Sequence, residues 1–293
     1  MNILNSELFE RYYYMMEWFE TRPFVKNLAW YKKYYGNRKL KGLLKKQDFW
    51  LKNQNFGDYL SRIIVASVAR QSGLTKRKKS DIGRKMLAIG SILHFANDDD
   101  VIWGSGVNGK VNPQKHKFSR LDVRMVRGPL TKKFLTDRNI AVPGVFGEPA
   151  LLLRSLYPNF TYRPIRNKIV VLPNLNEISI CQKKIPKTMH FVSPLRHWKV
   201  VLNEILTSEL VITSSLHGIV LSEVFEVPVR FIMPVGGETI FKYKDYYQGT
   251  GRDITNEPSS IANGLTINSG VTMPAPKFDK NAMINAFPRD LYE

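Results

Sequence analysis

The chain has 293 residues and a formal net charge of +19, from 44 Lys and Arg against 25 Asp and Glu. Hydrophobic residues at 43% and charged residues at 24% are ordinary globular values, which excludes a disordered or fibrous chain. No stretch approaches the roughly 18–20 apolar residues of a spanning helix. Glu7, Glu10, Glu17 and Glu20 interrupt any leader-like apolar region, and the single Cys181 leaves no internal disulfide, so the expectation is a cytoplasmic protein. At roughly 150 residues per domain, the length predicts about two domains.

The charge is uneven: residues 1–85 hold 19 Lys and Arg against 7 Asp and Glu, a net of +12. Residues 1–46 add a crowd of aromatics, among them Tyr12, Tyr13, Tyr14, Trp18, Trp30 and Tyr31, and read as a basic helical extension. Such a mixture suits an anionic membrane surface, where rings sit at headgroup depth and cations meet lipid phosphates. It also suits single-stranded nucleic acid, or a helical hairpin that packs its rings on the body and solvates its charges. The basic residues match no nucleic-acid-binding module, so nucleic acid is not an expected partner.

From residue 48 the pattern becomes that of strands alternating with helices. Asp48–Lys52 reads as a short strand, Asn53–Asp58 as a turn, and Tyr59–Gln71 as a helix capped by Asp58. Strand-like runs follow at 85–89, 101–103 and 123–126, and Pro129 opens a helix over 130–138. The second half repeats the rhythm, with strands at 168–172, 189–192, 210–213 and 229–232 and helices at 198–208 and 219–225. Alternation of this kind predicts an α/β fold with parallel sheets. Pro158 and Pro164 interrupt the pattern, which places the domain join near 160. The predicted units are 1–46, 47–160 and 161–293.

Ligands of parallel α/β sheets bind outside the carboxyl ends of the strands. This sequence puts small and polar residues there repeatedly: Asn55 and Gly57, Gly90 and Ser91, Gly104, Ser105 and Gly106, and the run Ser214, Ser215, Leu216, His217 and Gly218. Glycines let backbone N–H groups approach an anion. Arg127, after another strand, could grip a carboxylate or phosphate through two parallel hydrogen bonds. His217 stands among hydroxyls at a helix start, where a near-neutral titrating group suits acid–base work. Gly104, Gly106 and Gly109 have the spacing of a dinucleotide fingerprint, but Asn108, Asn112 and Pro113 break the helix it needs, so no nicotinamide cofactor is expected. His94, His116, His190 and His197 do not fall at metal-ligand spacing.

Taken in order, Asn55-Phe56-Gly57-Asp58, Gly90-Ser91-Ile92-Leu93, Val101 to Gly106, Val126-Arg127-Gly128-Pro129, Gly147-Glu148-Pro149-Ala150, Ser214 to Gly218 and Lys244-Asp245-Tyr246-Tyr247 resemble the polysaccharide pyruvyl transferase family. The resemblance runs from about residue 48 to 252 and leaves residues 1–46 outside. It implies two Rossmann-like domains facing a cleft, similar to the GT-B architecture. It also implies transfer of the pyruvyl group of phosphoenolpyruvate to two hydroxyls of a sugar, with no cofactor beyond that donor and a lipid-linked oligosaccharide as acceptor. By the resemblance, His217 is the general acid or assists phosphate departure, Arg127 orients the donor, and Asp58 or Glu148 acts on the acceptor hydroxyl. Ser215 stands where many relatives carry Arg, and Glu148 where many carry Asp. A GT-B glycosyltransferase with a nucleotide-sugar donor is the enzyme alternative, and a basic nucleic-acid-binding protein the third reading.

Overall fold

The computed structural model describes residues 55–293, apart from 79, 81, 82, 236, 256 and 257. The strand expected at 48–52 and the extension expected over 1–46 lie outside the described residues. Helix α1 (Phe56–Gln71) opens the description, and its apolar side chains recur at helical spacing: Phe56, Leu60, Ile63, Ile64 and Val68 are all buried. Burying each such side chain contributes roughly 1.5–3 kcal/mol. Its cap differs from the sequence expectation. Asn55, not Asp58, supplies the capping oxygen, accepting the Gly57 N–H at 3.1 Å, and Asp58 sits one turn in, where its charge still favours the positive helix end. Gly73, at φ +71°, ends the helix in the left-handed region.

Two parallel sheets follow. The first runs β1 (Met86–Leu87), β2 (Val101–Trp103) and β3 (Asp122–Met125) in sequence order. Pro129 then opens α2 (Pro129–Thr136), and a 3-10 turn over Pro149–Leu152 leads into α3 (Leu153–Leu156). The second sheet comprises β4 (Ile169–Leu172), β5 (His190–Phe191), β6 (Leu210–Thr213) and β7 (Val229–Phe231), ordered β5-β4-β6-β7. Its helices are α4 (Ile178–Lys184), α5 (Trp198–Leu206), α6 (Leu216–Val224), α7 (Phe241–Gly249) and, near the end, α8 (Lys280–Asn285). The α/β class with parallel sheets is thus the observed one. No described helix is long and apolar enough to cross a membrane.

The two sheets do not divide the chain cleanly at 160. Residues 280–293 return to the first sheet: the Trp103 indole donates to the Met283 carbonyl at 3.0 Å, Phe287 meets Trp103 edge-on, and Arg124 pairs with Asp290 at 2.8 Å. One apolar cluster joins α1, α5, α6 and the 149–156 segment, so the core passes under both sheets.

Helix α6 begins three residues before the expected start at Ile219. Ser215 is its N-cap, its Oγ accepting the Gly218 N–H, so Leu216, His217 and Gly218 are first-turn residues and not a loop. Gly218 is glycine because the helix packs hard on the sheet. A Cβ there would lie 2.6 Å from Thr213 Oγ1 and 2.9 Å from Leu172 Cδ2. Thr213 Oγ1 is itself tied to Leu172 O at 2.6 Å and to the Ser215 N–H at 2.9 Å, which leaves it little room to yield. Gly218→Ala should therefore destabilise the protein in urea titration by about 1–2 kcal/mol, because overpacking of about 1–3 kcal/mol exceeds the gain of up to about 1 kcal/mol in helix propensity. A more stable variant would show that the sheet gives way.

Candidate active site

In the second sheet the chain leaves β4 towards β5 on one side and β6 towards β7 on the other. The carboxyl ends of β4 and β6 therefore border a topological switch point, the place where open α/β sheets take ligands. Asn174 follows β4, and Ser214 to His217 follow β6. The loops after β1, β2 and β3 approach the same region from the first sheet, and the contacts of Arg127, Gly57 and Gly109 with residues of the second half tie the two sets together.

Arg127 and Asp245 lie at the centre, 1% and 0% exposed. Both the Nε and one terminal nitrogen of Arg127 reach the same Asp245 oxygen, at 3.0 and 2.9 Å. The guanidinium also donates to Ser91 Oγ at 2.6 Å and to the Val107 carbonyl at 2.7 Å. Asp245 accepts two further bonds, from the Thr131 N–H at 2.9 Å and the Thr131 hydroxyl at 2.6 Å. The Nε and one terminal nitrogen of Arg127 are thus spent on a carboxylate of the chain itself. Of the five guanidinium N–H groups, one on the Ser91 side is left for a ligand. Glycines make room for the pair. A Cβ at Gly106 would strike the guanidinium at 2.4 Å, and one at Gly128 would come within 1.8 Å of the Asp245 carbonyl.

His217 stands beside α1, where a Cβ on Gly57 would fall 1.9 Å from its Nδ1. Phe56 meets the ring edge-on. On the other side, His217 Nε2 faces Glu148 Oε1 at 3.7 Å. Burial, together with the positive charges of Lys242 and Arg127, lowers the His217 pKa to about 3. Burial raises Glu148 to about 8, against the opposing pull of the Ala150 N–H and Arg127. Asp58 is exposed yet closely surrounded by neighbouring atoms. Loss of hydration raises its pKa to about 6, with Lys242 opposing. Three titrating groups at one place are thus pushed to separate values, a pattern that marks functional sites.

Lys242 is the cation that the motif reading overlooked. It is buried on the first turn of α7 and donates to Glu238 at 2.8 Å; Lys110 and Asn176 also donate to Glu238. Burial lowers its pKa, and Glu238 opposes that shift. Asp245 was visible within a motif, but nothing local marked it as the partner of Arg127. The sequence signal for Lys242 was weak: one lysine in a lysine- and tyrosine-rich helix reads as solvated surface.

Not every expected ligand-binding residue faces the site's centre. Ser91, Gly57 and Gly106 do, while Gly90 borders Asp58. Ser105 spends its hydroxyl on the Gly90 carbonyl at 2.9 Å, joining the β1 and β2 loops. Ser214 accepts the Asn174 N–H and donates to buried Glu177, and Ser215 and Asn55 are helix caps. Leu216 packs in the core. Gly90 and Gly104, at φ +106° and +103°, occupy backbone conformations that only glycine adopts without strain. No helix follows Gly106 before β3, only the 3-10 turn Pro113–Lys115. Among the described residues, no three His, Cys, Asp or Glu side chains are grouped to hold a metal ion.

The profile of the polysaccharide pyruvyl transferase family matches residues 10–234. The match begins well inside the segment that motif reading left outside the resemblance, so most of residues 1–46 belongs to the family's own sequence pattern. The chain is also similar to the succinoglycan biosynthesis protein ExoV of Rhizobium meliloti (strain 1021), 25% identical over 188 residues. That alignment covers 60% of this chain and 56% of the relative, so the chain spans little more than half the relative's length. No solved structure matches the chain.

Removing Asp245 should be costly, because it strands a buried guanidinium. Asp245→Ala is expected to lose about 3–5 kcal/mol in chemical denaturation, the usual cost of breaking a buried ion pair from one side. A loss below about 1 kcal/mol, the range of surface pairs, would mean that water reaches Arg127.

Proposed function

Since the chain belongs to the polysaccharide pyruvyl transferase family, we propose that it moves the pyruvyl group of phosphoenolpyruvate onto two hydroxyls of a sugar in a surface polysaccharide. A cyclic ketal forms and phosphate leaves. The observation that most supports this reading is the meeting of Arg127, after β3, and His217, after β6, with Lys242 of α7 and Asp58 of α1. On this reading the two sheets belong to two Rossmann-like halves that face a common cleft.

The donor carries a carboxylate and a phosphate, so its site needs positive charge and free N–H groups. Lys242 and the remaining N–H of Arg127 supply the charge, whereas the N–H groups of Gly104 and Gly106 are spent on the Met125 and Gly90 carbonyls. Of the two roles the chemistry offers His217, the neutral ring performs the second: it donates a hydrogen bond to the departing phosphate. Asp58, with its pKa at about 6, is ionised at neutral pH and accepts the proton of the attacking sugar hydroxyl. Glu148 is too deeply buried to reach a sugar.

The acceptor is a lipid-linked oligosaccharide, and basic, aromatic-rich residues 1–46 meet the anionic surface that holds it. Composition alone supports this part. Anionic vesicles should bind the full chain more tightly than zwitterionic ones, by about 1 kcal/mol per Lys or Arg near the surface. Changing Lys32, Lys33, Arg38 and Lys39 to Gln should reduce that binding, and equal binding by both proteins would exclude the docking role.

The reaction is tested by phosphate release from phosphoenolpyruvate in the presence of an undecorated oligosaccharide acceptor. His217→Ala and Asp58→Asn should each lower turnover by about 10²–10⁴-fold, the range for acid–base and hydrogen-bonding groups. Because Asp58 must be ionised, wild-type rate should fall as pH drops through about 6, and Asp58→Asn should lack that limb. Phosphoenolpyruvate at 100 times its Kd should stabilise the fold by about 2.7 kcal/mol. Stabilisation by a nucleoside diphosphate and none by phosphoenolpyruvate would instead favour a glycosyltransferase.

A further inference from the structure

Glu148 and His217 each turn an unsatisfied atom towards the other. Glu148 Oε1 and His217 Nε2 are both shut from solvent without a hydrogen-bond partner, and they lie 3.7 Å apart. Two bare acceptors would repel at that distance, so one of the facing atoms must carry a proton. The geometry indicates which. The second carboxyl oxygen of Glu148 already accepts the Ala150 N–H at 2.9 Å, leaving Oε1 as the site for a carboxyl proton. His217 is hemmed by Phe56 and the Gly57 backbone of α1, which hold the ring with Nε2 towards Glu148.

The surrounding charges favour a neutral ring. Lys242 on α7 and Arg127 after β3 both act on His217 and oppose an imidazolium, while Arg127 alone acts favourably on a Glu148 carboxylate from across the site. Asp58 on α1 is the other carboxyl nearby, and Lys242 answers it. We propose that Glu148 works as a neutral carboxylic acid that aims its Oε1–H at His217 Nε2, 3.7 Å away and within reach of a hydrogen bond on a small approach, and so fixes the imidazole as the Nδ1–H tautomer. Glu148 is then a positioning residue, and no base for the acceptor. Burial supports this, holding Glu148 protonated up to about 8 and His217 neutral down to about 3. A buried carboxyl kept neutral so that it can donate a hydrogen bond is known chemistry. The role in turnover rests on the pyruvyl-transfer reading; the proton's location does not.

The test uses nitrogen-15 NMR of the histidine side chains in the ligand-free full chain, with His217 assigned from a His217→Gln sample. The expected spectrum shows His217 neutral at pH 5 and protonated on Nδ1, with shifts that move as Glu148 ionises near pH 8. Glu148→Gln keeps both the Ala150 cap and a donor for Nε2, so it should retain the tautomer and lose the step near pH 8. In the phosphate-release assay Glu148→Gln should stay within about 3-fold of wild type and lack an alkaline limb, whereas Glu148→Val should fall by about 100-fold or more, as an imidazole in the wrong tautomer does. His217 titrating near its ordinary value of 6.5, or carrying its proton on Nε2, would overturn the proposal. So would an inactive Glu148→Gln with an unchanged His217 spectrum, since a base is then required. Should the protein release no phosphate from phosphoenolpyruvate at all, the spectra still decide the proton's place.

Discussion

A buried charge pair between segments 118 residues apart organises this protein. Arg127 and Asp245 are stripped of water, and desolvating two ions costs more than their attraction returns unless further bonds complete the shell. Here they do: Ser91, Val107 and Thr131 occupy most of what remains of each group's hydrogen-bonding capacity. The loops after β1, β2 and β3 are thereby fixed to α7. Because the pair needs the backbone close on every side, glycine stands at 106 and 128, and also at 249, where a Cβ would meet the Arg127 carbonyl at 2.2 Å.

The same pair shapes the chemistry around it. With one N–H left over after Asp245, Ser91 and Val107, Arg127 contributes field more than contact. Burial is the larger cause that keeps a proton off His217, and the charges of Lys242 and Arg127 add to it. Burial drives all three shifts, and the cations add to it at His217 and oppose it at Glu148 and Asp58. Asp58, exposed on α1, is left with a pKa of about 6.

Much of the fold was legible because its causes are local. Leu210–Thr213 is apolar and β-branched in part, Pro129 fixes the first turn of α2, and α1 repeats its apolar residues every third or fourth position. Errors arose where a local sign had two meanings. Asp58 and Asn55 are both good capping residues, and the helix begins at Phe56, which makes Asn55 the cap. Gly218 looked like a turn former, yet it lies inside a helix pressed against Thr213 and Leu172. The return of residues 280–293 to the first sheet had no local signature, since a helix of ordinary composition does not announce its partner.

Local pattern placed the described strands, four of the eight described α-helices and the small and polar residues at strand ends, because periodicity and turn chemistry act over a few residues. The sequence also named Arg127, His217, Glu148 and Asp58 as residues of interest. What each of them can do follows from packing. Whether Arg127 is free or paired, whether Lys242 is solvated or buried, and which atom of the Glu148–His217 pair carries a proton all depend on partners distant in sequence and on exclusion of water. Desolvation and charge pairing belong to the assembled site, and no stretch of sequence holds them alone.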